Sequence, residues 1–501
     1  ASDVYKRQSI KSFLTSVVIR PARAVPYAGL SFILAFAFFM AFIPHLNYMY
    51  PLHIDEWFHF GYSQALVQSQ GLPFIEPFYG ETVVSDHEEI GFHFFLGVIK
   101  LLTKLSWINI FLFLPGVIFM LTTLTAFAIG QRANFGLEAA FFIALIPTTV
   151  RFLGPSFLVP VALGLFFLAV ILFLLHCCQI NRATVLTIFL LLAFLFLFHA
   201  ATAVAAALLC LIYGFIALWE NRHLGIKRWS TPILVWAAAL LSSFIYVVRF
   251  PVHTANLVMN IPQPSFFLPL IYGASPKFGF VPLALFVAGI GFLVYKKENK
   301  AWGLIISSWV FLAIWLSFQA LEMGVVVLYE RSILYFFLLA GIIAGLASTS
   351  IREQFYSYFD KFTKKAAVLS WLVILVLVIT AGTWSLHSHF QEPFYHLITE
   401  SQYSDSLWIR ENLDGSCQKV LVDPRMAIAF SSLCGKPTYV SDAAIIFWHP
   451  ERLEEADEFL RDSASDTSWL MERNIDTVYT ELAINNPDLE KVRERLYIIR
   501  N

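Results

Sequence analysis

Residues His53 to Phe60 read HIDEWFHF and bring two carboxylates, two imidazoles and three aromatic rings together. A carboxylate such as Asp55 or Glu56 can draw the proton from a hydroxyl as that hydroxyl becomes a nucleophile. With His53, His59, His87, Glu89 and His93, the same acids could supply ligands to a divalent metal, although no tight ligand spacing demands one. Neighbouring side chains diverge by about 100° on a helix or about 180° on a strand, so Asp55 and Glu56 are not expected to address the same atom. A second ionisable group follows at Asp86, His87, Glu88 and Glu89. Three arginines, Arg151, Arg249 and Arg331 (the last in YERSILY, beside Glu330), offer forked donors suited to a phosphate diester. Their alternative role is to snorkel to lipid headgroups.

The elements that must position these residues are membrane helices. Of 501 residues, 58% are hydrophobic and 14% charged, and the mean hydropathy is +0.68, the composition of a polytopic membrane protein. Apolar runs of roughly 17 to 23 residues match a hydrocarbon core ~30 Å thick. About eleven are read, from 26–44 to 366–386 and including a shorter one at 137–150. The first carries no cleavage-like flank and is expected to be retained as a span.

Basic residues set the expected orientation. With the N-terminus inside, 17 of the 23 Lys and Arg residues before residue 390 fall on the cytoplasmic side. This count requires residues 90–106 to lie along the outer interface as an amphipathic helix rather than to cross. The first outer loop then spans about 45–106 and holds seven of the 15 acids that precede residue 390. Glu76 and Glu81 read as its solvated face. Asp55 and Glu56 sit next to the bilayer, where an unemployed carboxylate is costly, with Trp57 and Phe58 expected to anchor them in the interface. The spans themselves hold almost no acids, unlike an ion-coupled transporter.

Residues 390–501 carry 20 acids and 11 bases and read as a soluble extracytoplasmic α/β domain. Strands are expected at 419–423, 437–442 and 476–481, and helices at 451–461 and 488–496. Cys417 and Cys434 could pair there or remain thiols.

The order of these motifs resembles the GT-C superfamily of glycosyltransferases, which includes protein O-mannosyltransferases, aminoarabinose transferases and the oligosaccharyltransferase catalytic subunit. The residues that carry the resemblance are the acid pair and aromatic after the first span (Asp55, Glu56, Trp57), a Gly-Leu-Pro stretch (Gly71 to Pro73), and an acid and histidine (Asp86, His87) opening an amphipathic helix. The resemblance implies transfer of a sugar from a polyprenyl-phosphate-linked donor to a glycan, lipid or protein acceptor at the outer membrane face. Asp55 or Glu56 would serve as base or metal ligand, and His59, Asp86, His87, Glu88, Arg151, Arg249, Glu330 and Arg331 would line the substrate site. A divalent metal is a candidate cofactor, with Asp55, Glu56, His87 and Glu89 as candidate ligands. The lipid bilayer, not nucleic acid, is the expected partner. The chain departs from the family where His87 is followed by Glu88, Glu89 and Ile90 instead of prolines, which leaves the role of His87 open. It also lacks the tryptophan- and aspartate-rich acceptor motif of the oligosaccharyltransferases, which favours single-sugar transfer over block transfer. A flippase or transporter of lipid-linked sugars, and a surface-glycan polymerase or ligase, are the alternative functions.

Overall fold

The computed structural model describes residues 24–149, 153–222, 230–251, 278–296, 299–321, 328, 331–360, 363, 365–413, 417–441, 450–461 and 466–500. In chain order the helices of the first half are α1 (Ala24–Phe42), α2 (Ile54–Gln68), α3 (Ile90–Thr103), α4 (Trp107–Gln131), α5 (Gly136–Ile143), α6 (Pro160–Cys177), α7 (Arg182–Phe198) and α8 (Ala200–Asn221). There follow α9 (Ser230–Arg249), α10 (Phe280–Lys296), α11 (Asn299–Leu321), α12 (Ser332–Phe359) and α13 (Ala366–Phe390). Among the described residues eight helices, α1, α4, α6, α8, α9, α11, α12 and α13, are long and apolar enough to cross a membrane, and α3, α7 and α10 are shorter apolar helices. The protein is a multi-pass membrane protein.

Two elements explain how the bundle closes. Along α12 the whole apolar window is buried, as expected of a helix apolar on every side that other helices surround. It meets α5 through Gly341 and Gly345. A Cβ on Gly345 would lie 2.5 Å from the Ala139 backbone nitrogen and one on Gly341 would lie 2.7 Å from Ile143, so the two backbones touch at small residues spaced four apart. The expected span at 137–150 is helical only over the eight residues of α5, a rise of about 12 Å. Pro147 follows, and the residue before a proline is pushed out of the helical region. The chain continues through a buried turn and irregular backbone to Thr149, a course tolerated at membrane depth only where protein surrounds it.

Residues 90–103 form a separate short helix, α3, ended by Lys104 in the left-handed conformation. It packs against α2 and the end of α7. Gly91 permits the second contact, because a Cβ there would lie 2.8 Å from the Leu197 carbonyl oxygen.

Beyond α13 come α14 (Glu400–Asn412), α15 (Ala427–Cys434), α16 (Pro450–Arg461) and α17 (Thr467–Glu472), with a four-stranded sheet. After a small hairpin of β1 (Phe74–Ile75) and β2 (Val83–Val84) in the first loop, its strands are β3 (Val420–Val422), β4 (Thr477–Tyr479), β5 (Leu489–Arg493) and β6 (Leu496–Ile499). Their order is β3-β4-β6-β5, with β3 parallel to β4 and the other pairs antiparallel. The expected strand at 437–442 is reduced to a single parallel bridge, Thr438 to Val420, and Asp442 lies outside the described residues. The expected helix at 488–496 is instead a hairpin. Its charges have helical spacing, but β5 is an edge strand, where charged side chains face solvent and discourage further pairing. Asp405 holds the hairpin through Arg493 at 2.9 Å and Arg495 at 3.3 Å. Cys417 and Cys434 are both free thiols.

This C-terminal layer is fastened to the first loop. The Thr438 N–H donates to the Phe78 carbonyl at 2.6 Å, the Ser431 hydroxyl to Pro77 at 2.6 Å, and the Ser432 hydroxyl to Trp57 at 2.8 Å. Glu81 takes both forks of Arg452, at 2.9 and 3.1 Å, and Lys419 at 3.0 Å. Glu76 is buried and accepts the Phe78 and Tyr79 N–H groups, each at 2.8 Å. Glu76 is therefore not the solvated residue that its place in an acidic loop suggests, whereas Glu81 is exposed as expected, though paired.

Candidate functional site

The HIDEWFHF stretch opens α2, and its first residues organise the helix start. His53 is the N-cap, its Nδ1 accepting the Asp55 N–H at 3.1 Å. Glu56 turns back: Oε2 accepts the N–H groups of Leu52 at 2.7 Å and His53 at 3.2 Å, while Oε1 accepts that of Leu158 at 2.7 Å. Fully buried, Glu56 thereby joins the start of α2 to the segment entering α6. Burial pushes its pKa up, to about 7, against the lowering effect of these N–H groups. Both oxygens of Glu56 are committed to backbone, so the acid braces the fold and faces no substrate. Trp57 and Phe58 are also buried, at 0% and 4% exposure. They pack on Phe60 and Phe78 inside the protein, and the expectation that they anchor in the membrane interface is corrected.

Asp55 projects differently. Its side chain keeps 21% of its surface accessible, with Oδ1 3.4 Å from His53 Nδ1. Burial works against ionisation, but His53 and Arg331 prevail and hold its pKa below the ordinary carboxylate range. The positive end of the α2 dipole acts in the same direction. One turn on, at the i+4 position on the same face, His59 bonds His93 of α3, Nδ1 to Nε2, at 3.0 Å, and its Nε2 lies 3.9 Å from Glu89 Oε2. Burial drives His59 down to about 3 and His93 well below its ordinary value, so both imidazoles are neutral.

Glu89, at the N-cap of α3, is the counterpart of Asp55. Burial first, then the charges of Glu88 and Asp55, raise its pKa to about 8 despite Arg331. The site thus holds two carboxylates whose surroundings push them apart, Asp55 ionised and Glu89 protonated at neutral pH, the arrangement from which acid and base roles are assigned. His87 belongs to the same cluster. Its Nδ1 accepts the Glu89 N–H at 3.1 Å, and its ring lies 5.3 Å from that of His93 and 5.2 Å from that of Tyr62.

Arg331 starts α12 and acts electrostatically on Asp55, Glu89 and His199. His199, between α7 and α8, bonds Thr202 Oγ1 at 2.8 Å, and that hydroxyl meets Tyr335 at 2.9 Å. From the sequence His199 reads only as a loop polar residue. Here it is tied through Thr202 to Tyr335, in the first turn of α12.

The structure gathers Asp55, His59, His87, Glu88, Glu89 and Arg331, and adds His93 and His199. Glu56 stands apart behind them. Asp86 and Arg249 pair with each other at 3.1 Å on exposed surface. Arg151 and Glu330 lie outside the described residues. Among the described residues no group of three or more His, Cys, Asp or Glu is arranged to hold a metal ion. Of the four candidate ligands, Glu56 has both oxygens taken and His87 Nδ1 serves a backbone N–H. Glu56 is therefore not placed to bind a metal.

No protein-family model matches the chain, and no curated protein matches it. Solved structures do. The oligosaccharyltransferase of Archaeoglobus fulgidus, in its apo form, superposes with a TM-score of 0.59 at 12% identity, over 91% of this chain and 69% of that one. ArnT of Cupriavidus metallidurans bound to undecaprenyl phosphate gives 0.54 at 12%, over 95% and 98%. The mycobacterial arabinofuranosyltransferase AftD gives 0.57 at 13%, over 93% of this chain and 37% of that one. The chain has the GT-C fold.

Proposed function

We propose that this chain is a membrane glycosyltransferase that moves a sugar from a polyprenyl-phosphate-linked donor to an acceptor hydroxyl at the outer face, with Asp55 as the general base. The observation that carries the reading is the placement of an accessible, ionised Asp55 beside neutral His59 and within the field of Arg331. The acceptor oxygen attacks the anomeric carbon and Asp55 takes its proton. The bond from that carbon to the phosphate oxygen breaks, and the phosphate leaves with the electron pair, its charge met by Arg331. His59 and His93, hydrogen-bonded and uncharged, fix the face on which Asp55 sits. Structures with this fold include ArnT with undecaprenyl phosphate and the Archaeoglobus fulgidus enzyme with dolichol-phosphate, which supports a lipid-phosphate donor.

Asp55→Asn keeps the shape and removes the basicity. General-base assistance is worth ~10²- to 10⁴-fold, so the variant should fold, bind lipid-linked donor as wild type does, and transfer sugar at least a hundredfold more slowly. Near wild-type transfer in an active preparation would refute the assignment.

A further inference from the structure

A second site lies away from the histidine cluster. The C-terminal layer holds a cleft of about 620 Å³ where β3 and β4 end, lined by Asp423 to Met426 after β3 and by Tyr479 to Leu482 at and after the end of β4, together with α14 and α16. β3 and β4 are parallel, and the carboxyl ends of parallel strands in an open sheet are where backbone pairing stops and ligands are received.

The lining selects the guest. Three carboxylates, Asp423, Asp457 and Glu481, alternate with two guanidiniums, Arg425 and Arg461, so the walls hold no excess of positive charge for a phosphate. Arg425 is exposed, and among the described residues no hydrogen bond or ion pair of its guanidinium is found, only its backbone N–H donating to Asp423. Among the described residues Arg461 meets only Asp457, at 3.6 Å. Met426, Leu453 and Leu460 supply an apolar surface between the polar groups. Donors and acceptors of both signs around an apolar patch suit a neutral, hydroxyl-rich ring with one C–H face, whereas a lipid chain would leave the charges without partners.

Position adds the connection to chemistry. α15 runs from the cleft, at Met426, to Ser432, which bonds the Trp57 carbonyl of α2, about 9 Å along its axis. Gln402 on the opposite wall belongs to α14, whose Glu400 accepts from Tyr50 at 2.6 Å, just before the HIDEWFHF stretch. α15 and α14 thus tie the cleft to the start of α2, the helix that carries Asp55.

We infer that this cleft is a binding site for a neutral oligosaccharide, the distal part of a glycan acceptor whose terminal hydroxyl is presented to Asp55. The acceptor role rests on the glycosyltransferase reading; the binding itself does not. Full-length protein in detergent would be titrated with neutral manno-, gluco- and arabino-oligosaccharides of three to six sugars, with inorganic phosphate and an uncharged peptide as opposing probes. At least one sugar series should bind, and Arg425→Ala and Arg461→Ala should each weaken it about tenfold without changing donor affinity. With a sugar that is also an acceptor, these variants should raise its KM about tenfold and leave kcat near wild type. Asp55→Asn should retain the binding and lose transfer; full transfer in that variant would sink the catalytic reading and leave the cleft standing. The cleft is overturned if none of the sugars binds, if phosphate or the peptide binds instead, or if both arginine variants bind sugar as wild type does.

Discussion

At the residue scale the site is governed by opposed protonation of two acids. Glu89 has its pKa raised from 4.5 to about 8, so the folded protein binds more protons there than the unfolded chain does between those values. Its contribution to stability is therefore complete below about pH 4.5 and is lost as pH rises through about 8. Glu56, raised to about 7 by burial, adds to the same slope. The neutral His59 and His93 act the opposite way, adding stability as pH rises towards about 6.5. Thermal unfolding in detergent should therefore show a melting temperature that falls between pH 7 and pH 8, and Glu89→Gln should flatten part of that fall; an unchanged profile would place Glu89 in open solvent. Arg331 carries a separate expectation. A lysine replaces only part of a bidentate phosphate contact, so Arg331→Lys should keep partial donor binding where Arg331→Ala loses most of it. Undiminished affinity for the lipid donor in the alanine variant would return Arg331 to a headgroup role.

At the scale of elements, α2 works because a glycine lets the C-terminal layer close on its back. A Cβ at Gly61 would lie 2.8 Å from the Phe78 ring and 2.9 Å from Ser432 Oγ. Gly61→Ala should cost roughly 1–3 kcal/mol, the usual penalty for overpacking, and should loosen the C-terminal layer to protease before the bundle melts. Gly291 of α10 has nothing within 4 Å of such a Cβ, and Gly291→Ala should be neutral or slightly stabilising. Equal effects at the two positions would mean that the α2 to α15 contact contributes little.

At the scale of the whole molecule, the contacts between the first loop and the C-terminal layer require both to share one side of the membrane. Cysteine labelling should find Glu81 and Arg452 positions accessible from the same side, opposite Lys300 and Arg132, with that shared side outside if the basic residues set the topology. Labels on Glu81 and Arg452 from opposite sides would break the architecture.

Much of this was legible in the chain, because hydropathy and charge are local quantities. Lengths of apolar sequence specify helices, arginine and lysine counts favour an orientation, and the drop in hydropathy after residue 386 marks the C-terminal layer. Asp55 stood out for the same reason, as a charge placed where a charge is costly. The spacing also held a signal not used: Asp55–His59 and Glu89–His93 are both acid–histidine pairs at i, i+4, which puts each pair on one helix face. What the chain could not show was that the two faces meet, since that depends on α3 packing against α2 and α7 through Gly91. Nor could it separate Asp55 from Glu56. The three N–H groups that claim Glu56 include that of Leu158, brought there only by folding. Residues 488–496 became strand rather than helix for a related reason: their neighbour β6 and the anchor Asp405 supply hydrogen bonds that local spacing does not contain. Sequence determined which segments enter the membrane and which charges remain outside them; tertiary structure decided which of those charges face one another, because proximity between distant segments is set by packing and not by order along the chain.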